Sequence, residues 1–192
     1  KEIQVCEKRI NDFKKQNLSL NMSRGKPSSE QLDLSIGLLD TVTSETGYES
    51  DGIDCRNYGH LEGLPQARKL MGDYLGVNPD QVIVGGQASL QLMYLLVTGS
   101  ILFGINGCKP WSEIEKVRWI CPSPGYDRHF AMCEAFGFEL VPVDMLEDGP
   151  DMEQVKELVE NDPSVKGMWI VPKYSNPTGN TYSKEVIQKL AS

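Results

Sequence analysis

Short apolar runs and helical spacing alternate along most of the chain. QVIVGG (81–86), KVRWICP (116–122), FELVPV (138–143) and VKGMWIVP (165–172) are too short for helices and predict strands that are buried or nearly so. Between them the period changes. Residues 88–103 are apolar almost all round, which predicts a helix buried on more than one side. Residues 126–136 set Tyr126, Phe130, Cys133 and Phe136 at helical spacing, and residues 151–161 do the same with Met152, Val155, Leu158 and Val159. A last helix is expected over SKEVIQKLAS (183–192). Strands that alternate with helices imply an α/β fold, a mostly parallel sheet covered by helices.

The first 60 residues follow another rule. A charged helical pattern, KEIQVCEKRINDFKKQN, leads into the polar stretch NMSRGKPSSEQLDLS and then an irregular segment that runs to YGHLEGLP. A loop-rich stretch of this length is functional or belongs to a second domain or subunit contact. A boundary is expected near residue 45, with 1–45 an N-terminal arm and small-domain segment and 46–192 the first part of a larger α/β domain. Doubly wound sheets usually continue to five or more strands, and only about four are visible. The expectation is therefore the first part of a longer protein.

Composition narrows the partners. Forty per cent apolar and 24 per cent charged residues describe an ordinary globular protein. A net charge of −8 argues against a nucleic-acid surface, which needs a basic footprint. No run approaches a membrane span and no signal-peptide core opens the chain, so a cytoplasmic location is expected. The five cysteines show neither a C-x-x-C pair nor zinc spacing, so no metal is expected, and three lie in stretches that predict buried free thiols.

In such a sheet, ligands gather where strands lead into helices. After the first expected strand comes GGQASLQ, with Gln87, Ala88 and Ser89 at the start of a helix. Free backbone N–H groups and the positive end of the helix dipole suit an anion there, although the same turn also serves as a plain connection. After the second comes PSPGYDRHF, whose rigid turn either holds the Tyr126 ring at the mouth of the sheet or begins a helix that packs Tyr126 in the core. His129 reads as a surface or hydrogen-bonded histidine rather than a catalytic base. After the fourth comes PKYSNPTGN. Asn176 precedes Pro177 and is held extended, which directs an amide suited to a phenolate or carboxylate oxygen; a simple loop before a helix capped by Ser183 is the other reading. Anion cradle, aromatic platform and polar amide at one sheet edge match the phosphate, ring and ring oxygen of a single cofactor.

The S-N-P-T-G of residues 175–179, the segment NYGHLEGLPQARKLMGDYLG (57–76) and NMSRGKPSSEQLDLS together resemble the fold-type I, pyridoxal-phosphate-dependent aminotransferases, in particular the bacterial aspartate aminotransferase branch. The resemblance covers essentially the whole chain and implies the pyridoxal 5'-phosphate transferase fold, truncated before the last strands. It implies that Gln87, Ala88 and Ser89 hold the phosphate, with Tyr58 reaching it from the partner of a homodimer. Tyr126 is expected to stack on the pyridine ring and Asn176 to bond the phenolic oxygen. Gly25 is expected near the substrate carboxylate, and Arg24 either binds a second carboxylate or forms a structural ion pair.

The resemblance also implies groups that this chain lacks. After Gly179 only Lys184 and Lys189 remain, both too soon after the loop for the Schiff-base lysine, which is expected beyond Ser192. No catalytic residue is therefore assigned within the chain, and the chain alone is expected to be inactive. The implied activity of the whole protein is transfer of an amino group from aspartate or another amino acid to a 2-oxo acid. A lyase or decarboxylase on the same fold, or a non-catalytic ligand-binding or regulatory domain, are the alternatives.

Overall fold

The structure is a computed structural model that describes residues 2–21, 23 and 25–192. Two compact units are distinguished, one ending at Val84 and the other beginning at Gly85.

In the first unit, α1 (Glu2–Lys15) carries Glu2 in its first turn and Lys14 and Lys15 in its last, charges that complement the helix dipole. None of its residues is buried. A capping box between Ser28 and Gln31 starts α2 (Ser29–Asp33), and a 3-10 turn follows at Ile36–Asp40. Strands β1 (Glu49–Ser50) and β2 (Ile53–Asp54) form a hairpin across Asp51 and Gly52. Both turn residues have positive φ, 51° and 78°, which is why Asp-Gly suits this tight connection. Helix α3 (Pro65–Leu75) begins with proline in its first turn and ends at Gly76 in the left-handed conformation. Arg68 on α3 donates from Nε to the Val82 carbonyl at 2.9 Å, which ties the following segment to the helix.

The second unit is layered. Helix α4 (Ser89–Phe103) leads through a 3-10 turn at Trp111–Glu113 to β3 (Arg118–Ser123). Then come α5 (Asp127–Ala135), β4 (Glu139–Leu146), β5 (Gly149–Pro150), α6 (Met152–Asn161), β6 (Val165–Met168) and α7 (Lys184–Ala191). The sheet order is β5-β4-β3-β6; β3 pairs in parallel with β4 and β6, and β5 closes one edge antiparallel to β4.

Side chains alternate across β3, as the pleat requires. Trp119 and Cys121 join Val97 of α4, Cys133 of α5, Trp111, Val117 and Phe138 on one face, while Ile120 joins Val143 and Val155 of α6 on the other. Each fully buried aliphatic side chain of this kind contributes roughly 1.5–3 kcal/mol. Trp119 lies opposite Gly167 in the parallel register, where a Cβ would come within 2.7 Å of the indole. Only glycine leaves room for that ring. At the start of β3, Arg118 reaches both Glu139 and Asp162, which joins the first residue of β4 to the loop after α6.

The pattern located β3, β4, β6, α4, α5, α6 and α7, and three expectations need correction. The run 81–86 forms no ladder among the described residues: Gln81 closes a 3-10 turn and Val84 N–H donates to the Glu62 carbonyl. An apolar run becomes a strand only where a neighbouring strand accepts its backbone bonds. Helix α4 buries Val97 and Ser100 alone, and Leu95, Leu96 and Phe103 are exposed, because it packs inward along one face only. Of the cysteines, Cys121 and Cys133 are buried and Cys6, Cys55 and Cys108 are exposed. Cys6 illustrates the cause, since it lies on α1, which buries none of its residues.

Candidate functional site

The carboxyl ends of the parallel strands β3 and β6 open on a small cleft. Two of its residues are Tyr126, from the turn after β3, and Asn176, from the loop after β6. Trp169 and His129 also line it, with Met145 from the end of β4 and Tyr182 just before α7.

Local rules place each of them. Pro124 and Gly125 follow β3 directly and end it, since proline cannot donate to a ladder. Tyr126 then becomes the N-cap residue of α5, half-buried, with no side-chain capping bond. It is not a core residue. Its ring meets the His129 ring edge-on, with centroids 5.0 Å apart at 86°. His129, one turn along the same helix, lies 5.7 Å from the Trp169 ring. Desolvation pushes its pKa below the ordinary imidazole value, which favours the neutral ring. Among the described residues its imidazole has no hydrogen-bond partner.

The loop that presents Asn176 is fastened at several points. Ser175 is buried; its N–H donates to the Asn180 carbonyl at 2.8 Å, and Gly179 N–H donates back to the Ser175 carbonyl. The Asn180 amide donates to the carbonyls of Leu146 and Glu147, at 2.7 and 2.9 Å, which fixes the loop to the end of β4. Tyr182 N–H donates to the Pro172 carbonyl, and Ser183 caps α7 through Val186 N–H. The Asn176 side chain itself is exposed and unbonded among the described residues. Its amide is free for a ligand.

Gln87, Ala88 and Ser89 stand at the N-terminus of α4. Ala88 is the N-cap residue and provides no side-chain cap, so N–H groups of the first turn are left without an internal partner. These three residues do not line the cleft that holds Tyr126 and Asn176. In the first unit Tyr58 is 96% exposed, and Gly25 has open space where a Cβ would stand. Arg24 lies outside the described residues.

Sequence reasoning missed Trp169 and Tyr182. Trp169 sits one residue past β6 and donates from Nε1 to Cys133 Sγ at 3.0 Å. It lay inside the expected strand 165–172, so no signal set it apart from a core residue. Tyr182 is buried with no well-formed bond to its hydroxyl, and burial pushes the phenol upward in pKa; only its place two residues past the turn could have drawn notice.

The α/β architecture is that of the fold-type I, pyridoxal-phosphate aminotransferases. The same architecture occurs in the α-aminoadipate aminotransferase LysN of Thermus thermophilus, solved with N-(5'-phosphopyridoxyl)-L-leucine. That structure superposes with a TM-score of 0.55 at 20% identity, over 70% of this chain and 31% of that one. Within that class the chain belongs to the aspartate amino-transferase family, which it matches over residues 2–192. An aspartate aminotransferase of Corynebacterium glutamicum is 48% identical over 187 residues, 97% of this chain and 43% of that protein. The crystal structure of an aspartate transaminase from the same species superposes with a TM-score of 0.86 at 48% identity, over 98% of this chain and 44% of that one. The chain thus spans less than half the length of these relatives.

Proposed function

We propose that this chain is the N-terminal portion of a pyridoxal-phosphate-dependent aminotransferase, and that the whole protein moves an amino group from aspartate, or another amino acid, to a 2-oxo acid. The observation that carries the reading is the cleft at the ends of β3 and β6, where an aromatic ring and an unbonded amide lie together in a chain of this family.

The donor chemistry fits the cofactor. The uncapped first turn of α4 offers backbone N–H groups and the Ser89 hydroxyl, a neutral cradle with a positive dipole suited to a phosphate dianion. The half-buried Tyr126 ring offers a flat face, and the Asn176 amide offers a donor for a phenolic oxygen. We therefore assign Gln87, Ala88 and Ser89 to the phosphate, Tyr126 to the ring and Asn176 to the ring oxygen. Tyr58, almost fully exposed, is free to reach the phosphate of a partner subunit in a homodimer. We assign Gly25 and Arg24 to the substrate side of the site on the family membership alone.

When bound, pyridoxal phosphate withdraws electrons from the substrate's α-carbon so that its proton can leave. The residues of this chain bind and orient. Asn176 would donate its amide to the ring oxygen, and Tyr126 would lie against the ring. We assign the movement of the α-proton to a lysine beyond Ser192. A cytoplasmic location is part of the same reading; among the described residues no helix is long and apolar enough to cross a membrane.

The test is product analysis with aspartate and 2-oxoglutarate. The full-length protein should form oxaloacetate and glutamate, and the 192-residue chain alone should form neither. Carbon dioxide or an eliminated amine as product would favour a decarboxylase or lyase, and turnover that depends on Lys184 or Lys189 would overturn the assignment.

A further inference from the structure

Tyr126 presents its ring to the cleft without any tether of its own. It has no side-chain capping bond, and its hydroxyl makes no hydrogen bond among the described residues. Something else must fix the plane of the ring. We propose that Trp169 is a positioning residue for Tyr126, acting through His129: the indole is anchored in the core, the imidazole is wedged against it, and the Tyr126 ring rests edge-on against the imidazole. The proposal rests on the reading that this cleft receives the pyridine ring.

Trp169 is held from two sides. Its ring lies 4.8 Å from that of Trp119, itself 5% exposed, and its Nε1–H donates to the sulfur of the fully buried Cys133 at 3.0 Å. The indole meets the His129 ring at 5.7 Å and 41°. His129 and Tyr126 are three residues apart on α5, so their side chains fall on one side of the helix, where they meet at 86°. Edge-to-face contacts of this kind favour one ring orientation over its alternatives. The imidazole is half-buried and has no hydrogen-bond partner among the described residues.

Two readouts test this on the full-length protein. In the cofactor-free protein, the ring-proton NMR signals of Tyr126 should be displaced by the ring current of His129. They should stay displaced in Trp169→Phe, which keeps a ring and loses the N–H bond, and move toward ordinary tyrosine values in Trp169→Leu and in His129→Leu. On adding pyridoxal 5'-phosphate, equilibrium dialysis should show about 3- to 10-fold weaker binding for each leucine variant, with reduced induced circular dichroism of the cofactor. The double leucine variant should be no weaker than the weaker single one, because both act on one ring. Additive losses, or displaced Tyr126 signals in Trp169→Leu with the wild-type melting temperature, would overturn the proposal. So would a Trp169→Phe variant as impaired as Trp169→Leu. Failure of the wild-type protein to take up the cofactor, with the Tyr126 signals behaving as expected, would instead count against the cofactor reading.

Discussion

The two units of the chain use apolar residues in opposite ways. From Gly85 onward, Ile120, Val143 and Val155 vanish between sheet and helix, whereas in the first unit Ile3, Phe13, Leu34 and Leu39 lie 74, 61, 88 and 76% exposed. The side chains are equally greasy. What differs is the presence of a four-stranded sheet covered by helices: its strands bury alternate side chains on two faces, and helices on either side complete two cores. Helix α1 has an amphipathic pattern but buries none of its residues within its unit.

The comparison can be broken most directly by truncating one residue from each unit. Ile120→Ala is expected to cost about 2–5 kcal/mol in urea denaturation, and Phe13→Ala to stay within about 0.5 kcal/mol of wild type. Equal costs would show that the first unit has a core of its own. Next in size is Gly167→Val, which drives a branched side chain into the space of the Trp119 ring and should cost about 1–3 kcal/mol.

The ion cluster at the start of β3 sharpens the contrast further. Hydrogen bonds from Ser164 and from Arg118 hold the Asp162 carboxyl at about 2, below its ordinary 3.8, and Lys116 and Arg118 lower that of Glu139. A depressed carboxyl stabilises the folded state above its unfolded pKa, and that contribution disappears as pH falls through the folded value. Stability of the second unit should therefore decline between about pH 4 and pH 2, and Arg118→Met should flatten that decline; an unchanged acid transition would remove the cluster from the account. The gentlest probe is thiol labelling. Cys6, Cys55 and Cys108 should react at once, while Cys121 and Cys133 wait for unfolding, since both are buried and a hydrogen bond to Cys133 pushes the Cys121 thiol up.

The layered unit was legible because its elements are announced twice, by period and by the residues between them. Asp151 caps α6 by accepting from Glu153 and Gln154 N–H, and Ser183 caps α7, both visible as helix starts in sequence. The run 81–86 was not legible, because strand identity depends on a partner that local composition does not name. The Asp51-Gly52 hairpin and α3, bounded by Pro65 and Gly76, did carry local signals, but short ones inside a polar stretch that read as loop. In the site, Tyr126 and Asn176 stood out because proline and glycine frame them. Trp169 did not, since in an apolar run a tryptophan that faces a cleft looks the same as one that fills a core.

The claim that everything else leans on is that Gln87 to Ser89, Tyr126 and Asn176 serve one cofactor. Titration of pyridoxal 5'-phosphate into the 15N-labelled protein measures it at the level of single residues. The account predicts that the backbone amides of Gln87, Ala88 and Ser89, the Tyr126 amide and the Asn176 side-chain amide shift together along one binding curve. Shifts confined to the neighbourhood of Lys184 and Lys189, or separate curves for the α4 turn and the Tyr126–Asn176 cleft, would contradict it.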